Sequence, residues 1–156
     1  MRLASYLTLL RTAEQRLGDS YRFVADGHAE EPDVVATCRQ FATQADHHVS
    51  TLDPVTSRYL KLPSDEPLSA QADRWGVTWL GEPRTGPLGL LRDMHDLYAL
   101  AGFVDLAWTI VGQAAQAARD TELSTVVTDC ESDVTRQLAW LTTRVKAAAA
   151  QPLVAG

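Results

Sequence analysis

The chain has 156 residues, enough for one domain with a core of its own. A formal net charge of −6 excludes the clustered basic surface that nucleic-acid binding needs. Arginine supplies nearly all the positive charge, asparagine is absent and Ile110 is the only isoleucine, a bias that suggests a GC-rich bacterial genome.

The first helix is expected from about Arg2 to Gly27. Leu3, Leu7, Leu10, Glu14, Leu17, Tyr21, Val24 and His28 follow one another in steps of four and three, an unbroken seam along one helical face. Only Glu14 and the terminal His28 interrupt its apolar character. The stretch "GHAEEPDVV" ends that helix and starts the next, with Pro32 suited to a first turn behind Glu30 and Glu31.

Val34, Cys38, Phe41, Ala45, His48, Leu52, Val55 and Tyr59 carry the same rhythm through a second helix. Adjacent helical residues point about 100° apart, so of the pair His47 and His48 only one faces the core, and the rhythm selects His48. Pro54 implies a kink, or an early end near Asp53.

From about Leu62 to Gly86 the chain is punctuated by Pro63, Pro67 and Pro83, with Trp75 and Trp79 between them. This reads as an ordered connection whose tryptophans pack on the helices. Pro87 opens a third helix through Ala118, with Leu90, Met94, Leu97, Ala101, Val104, Trp108, Val111 and Ala115 on its inner face. Its run "ALAGFVDLAWTIVGQAAQAA" is nearly apolar enough for a bilayer, but Asp105, Gln113 and Gln116 break it, so it reads as a core helix and no membrane association is expected. After "RDTEL" the fourth helix spans about Glu122 to Ala149, striped by Leu123, Val127, Cys130, Val134, Leu138, Leu141 and Val145.

Short connections make each helix pair an antiparallel hairpin, while the central connection can run the bundle's length. The expected fold is all-α: one antiparallel four-helix bundle over residues 1–150, two hairpins joined by a long crossover, with a frayed tail at 151–156. A plain up-down bundle is the structural alternative. Cys38 and Cys130 fall on apolar stripes and read as small buried hydrophobes. With no signal peptide apparent, the expected location is cytoplasmic.

The residues with chemical interest are the polar ones on or beside apolar stripes: Glu14, His48, Asp105 and Glu131. A buried carboxylate or imidazole is costly unless paired, neutralised or bound to metal. The choice lies between a hydrogen-bonded network, perhaps Glu14 with His48, and a metal site.

"LLRTAEQRLGDSYRFVA", "FATQADHHVSTL" and "DCESDVTRQLAWL" together resemble the ferritin-like superfamily, in the neighbourhood of rubrerythrin-type bundles. That resemblance implies a glutamate ligand at Glu14 followed two turns later by an aromatic, Tyr21. In the second helix it implies Glu-x-x-His, of which His48 and the following Leu52 match while the glutamate position holds Ala45. In the fourth, Glu131 matches but the histidine position holds Val134. The third-helix glutamate falls near Ala101 or Asp105.

A two-metal centre needs carboxylates to offset about four positive charges and bridge ions ~3.5–4 Å apart. Ala45 and Val134 supply neither. Glu14, His48, Asp105 and Glu131 would form at most one mononuclear site, for iron or manganese. The expectation is a degenerate, metal-free bundle without enzymatic chemistry, acting as an interaction or structural module, as a homodimer or with a protein partner. The alternative is a divergent iron- or manganese-binding redox or iron-handling protein centred on Glu14 and His48. A third class, a small-molecule pocket walled by the four tryptophans, competes with ordinary packing. The chain has no nucleophile elbow, phosphate loop or zinc-type cysteine cluster.

Overall fold

The computed structural model describes residues 2–61 and 84–155. Among these it is helical with no strand: α1 (Arg2–Gly27), α2 (Pro32–Leu60), α3 (Gly86–Ala117), α4 (Thr121–Ala148), then a single π turn at Gln151–Ala155. The tail residues thus form this turn, with none of them buried. Trp75 and Trp79, expected to pack on the helices, lie outside the described residues.

Most of each seam read from the sequence lies in the core, with Leu3, Tyr59, Leu138 and Val145 only partly buried at its edge. Leu7, Leu10, Glu14, Leu17, Tyr21, Val24 and His28 of the first stripe are completely buried. On α2 the buried set includes Val34, Cys38, Ala45, His48, Leu52 and Val55, while His47 is exposed. Met94, Leu97, Ala101, Val104, Trp108, Val111 and Ala115 form the inner face of α3. α1 packs on α2 and α3, α4 packs on α3, and α2 makes a smaller contact with α4.

Pro54 does not end α2 near Asp53; the helix continues to Leu60. The proline ring is on the exposed side, where water can satisfy the carbonyl that loses its N–H partner. Leu52 and Val55 beside it are buried, so packing holds the last two turns in place.

Ionic contacts fix the helix ends. Arg58 Nη2 reaches Asp120 at 3.1 Å and Tyr59 Oη donates to Asp120 at 2.6 Å, tying the end of α2 to the start of α4. Arg144 near the end of α4 bonds Glu31 and Asp33 at the start of α2. His28 Nε2 lies 2.7 Å from Asp93 Oδ2, joining the α1–α2 turn to the beginning of α3. Arg84 braces that junction through Asp93 at 3.0 Å and Asp96 at 2.6 Å.

Candidate functional site

Four side chains, one from each helix, meet in the middle of the bundle. Glu14 of α1 and His48 of α2 are both fully buried, and His48 Nδ1 lies 2.9 Å from Glu14 Oε1. The indole N–H of Trp108, on α3, donates to the same oxygen at 2.7 Å. On the far side of the ring, His48 Nε2 lies 2.9 Å from Asp133 Oδ2 of α4. Asp133 retains 26% side-chain exposure, so the chain of bonds runs from the dry centre to the bundle surface.

Both ring nitrogens face carboxylate oxygens, which when ionised can only accept, so the arrangement suits a doubly protonated imidazolium. Burial alone pulls the His48 pKa down, but hydrogen bonds and charge from Glu14 and then Asp133 push it up, and the net shift is upward. Trp108 also packs edge-on to the ring, at 6.0 Å between centroids and 84° between planes. Glu14 Oε2 is buried with no hydrogen-bond partner among the described residues.

A second polar layer lies next to the first. Tyr21 Oη donates to Gln137 Oε1 at 3.1 Å, and Gln137 Nε2 donates to Gln44 Oε1 at 3.0 Å. Burial, followed by the charges of Cys38 and Glu14, raises the Tyr21 pKa well above its usual value and keeps the phenol neutral. Tyr21 also stacks edge-on against Phe41, which does the same against Trp140. Cys38 and Cys130 are free and buried, and burial is the first cause pushing both thiols up to about 12. They behave as hydrophobes.

Glu14 and His48, singled out from the sequence, come together. Asp105 and Glu131 do not join them. Glu131 accepts from Thr109 Oγ1 at 2.7 Å on the α3 side of α4. Asp105 stands near it, its pKa raised by burial and then by the Glu131 charge, against a hydrogen bond from Thr135. Glu131 and Asp133 flank Val134 on opposite sides: the first turns toward α3, the second toward His48. Sequence reasoning missed Asp133, Trp108 as a donor, and Gln137. Only Gln137 left a usable signal, since a step of three from Val134, rather than four to Leu138, continues the stripe to Leu141.

Two positions where the ferritin-like resemblance implies metal ligands, Ala45 and Val134, are occupied by packing residues. Ala45 is buried against Gly18, where an added Cβ would come within 3.1 Å of the Ala45 Cβ. Gly18 thereby permits a close approach of α1 to α2 at the level where a glutamate side chain would need room. Val134 is fully buried as well. Among the described residues no three His, Cys, Asp or Glu side chains converge as a metal cage requires.

Comparison with protein-family models, curated proteins and solved structures finds no match.

Proposed function

We propose that this chain is an antiparallel bundle of ferritin-like topology whose centre is held by a metal-free Glu14–His48–Asp133 network, and that it acts as an interaction or structural module. The topology is supported by contacts at the helix ends. Arg58 pairs the end of α2 with the start of α4, while His28 pairs the end of α1 with the start of α3. A connection from α2 to α3 then has to travel the length of the bundle, about 40 Å for helices of this size.

The observation that carries the metal-free reading is the commitment of both His48 nitrogens to carboxylates. A ligating imidazole needs one nitrogen deprotonated and turned to the ion, so metal at this ring must break one of these bonds. The close Gly18–Ala45 packing supports the same reading, because it removes the room for a bridging carboxylate. Residues so arranged do not fit a di-iron group.

The competing reading, a single iron or manganese on Glu14 and His48, is favoured by one feature, the unpartnered Glu14 Oε2. Elemental analysis decides between them. The chain is purified from cells grown with added iron and manganese, beside Glu14→Ala and His48→Ala. Trace metal that is equal in all three supports the metal-free network. One metal ion per chain, lost in both variants, overturns it.

A further inference from the structure

α3 is apolar on nearly every side, and helices of that kind are ordinarily covered all round. Only 44% of its most apolar stretch is buried. Leu88, Tyr98, Leu106 and Ile110 are exposed by 48%, 43%, 60% and 39%, and make up four of the seven exposed large hydrophobic residues among those described. Beside Tyr98 the face opens into a mainly apolar groove of about 480 Å³ between α3 and the end of α4, lined by Leu91, Val145, Ala149 and Leu153 with His95, Thr142 and Lys146 at its polar margin. Contiguous apolar surface of this sort marks an interaction site.

Charge indicates what covers it. From Leu97 to Ala118 the only charged residue is Asp105, which is turned toward Glu131 and Thr135 at the α4 side. Two copies of a chain carrying −6 repel each other, and they meet with least opposition on a face without like charges. Gly102 stands at the middle of the helix, where glycine weakens the helical state. Among the described residues nothing lies within 4 Å of a Cβ added there, so close packing inside the chain does not account for it.

Tyr98 and Leu106 lie four residues to either side of Gly102. An antiparallel crossing of two such helices at their midpoints brings Gly102 against Gly102 and sets Leu106 of each copy level with Tyr98 of the other. A closed two-fold contact requires this kind of self-complementary spacing. We propose that the outer face of α3 is a self-association surface on which a second copy of this chain packs, crossing at Gly102. The proposal rests on the reading of the chain as an interaction module and names its partner.

Sedimentation equilibrium of the full chain over a concentration series tests it. The parent is expected to be a dimer, and Leu106→Glu and Gly102→Leu are each expected to halve the mass at concentrations where the parent is dimeric. Their helical circular dichroism should be unchanged, and Ile110→Lys serves as a further exposed variant should either of them misfold. A parent that stays monomeric throughout, or any assembly that survives Leu106→Glu or Gly102→Leu, overturns the proposal. Metal content is read on the same samples. A monomeric, metal-free parent sinks this surface alone, and a dimeric parent with one metal ion per chain sinks the metal-free reading alone.

Discussion

His48 Nε2 lies 2.9 Å from Asp133, which stands on the opposite flank of α4 from the glutamate that the ferritin-like pattern points to. With Glu14 on the other nitrogen, the ring is held between two acids and its pKa is raised against the downward pull of burial. A pKa raised in the folded state adds stability that is fully present below the unfolded histidine value, about 6.5, and is lost as pH rises through the folded value. The melting temperature of the parent should therefore exceed that of His48→Gln by the widest margin at or below about pH 6.5, narrowing toward alkaline pH. Paired thermal melts across that range test this, and a margin that grows with pH would show that the ring is neutral.

Removing Glu14 and removing His48 should cost more in sum than replacing the pair together. Glu14→Ala leaves a buried imidazole and the Trp108 N–H without their shared acceptor, at about 3–5 kcal/mol. Glu14→Met with His48→Leu removes both charges and keeps the volume, and so should fall short of the summed single losses by about 2 kcal/mol or more. Urea denaturation of Glu14→Met, His48→Leu and the double gives that coupling. Additive losses would mean that the two side chains do not act as one unit.

The sequence shows helix faces more readily than it shows sideways choices. Glu14 and His48 can be paired from the chain alone because the turn between α1 and α2 is short, which fixes the two at one level. Asp133 cannot, because whether Glu131 or Asp133 completes the ring depends on how α4 is rotated between α2 and α3, and both flank the same buried Val134. Trp108 reads correctly as core, but the target of its N–H depends on α3 lying beside α1. His28 with Asp93 follows the same rule: each lies at a helix end, and only the packing of α1 on α3 joins them. At Pro54 the expected early end is overridden by burial of Leu52 and Val55.

Restoring the glutamate of the ferritin-like motif should not restore a metal site. In Ala45→Glu the new side chain meets α1 at Gly18 and brings a charge into a fully packed region. Overpacking of 1–3 kcal/mol and an unpaired buried carboxylate together should cost at least about 3 kcal/mol. Urea melts and metal analysis of this variant test the claim. A variant as stable as the parent, with bound iron, would show that the α1–α2 contact yields easily.

Arg119 marks a site where the chain tolerates local strain. Its φ is 55°, while its N–H bonds to Gln116 O at 3.1 Å and that of Asp120 bonds to Ala115 O at 2.9 Å. These paired bonds close α3 in the Schellman manner, which favours glycine at the left-handed position. A side chain there costs roughly 1–2 kcal/mol, partly offset in a variant by the greater unfolded-state freedom of glycine. Arg119→Gly should therefore raise stability by up to about 1 kcal/mol, read as a higher urea midpoint at unchanged slope.

Asp120, next to Arg119 in the same turn, joins three roles. Its side chain accepts from Leu123 N at 3.0 Å as the α4 cap, from Tyr59 Oη at 2.6 Å, and from Arg58 at 3.1 Å. Burial pushes its pKa up, yet the Leu123, Tyr59 and Arg58 contacts outweigh that and the net shift is downward. A lowered folded pKa adds stability above the unfolded value, about 3.9, that is lost as pH falls through the folded one. Loss of the cap costs about 1 kcal/mol and of the Tyr59 bond about 1 more, while the half-exposed Arg58 pair adds little. Asp120→Ala should thus melt roughly 4–8 °C lower for a chain of this size, and Asp120→Asn, which keeps the acceptor, should lose much less. Equal losses in the two variants would mean that charge, rather than the cap and the tyrosine bond, secures this end of the bundle.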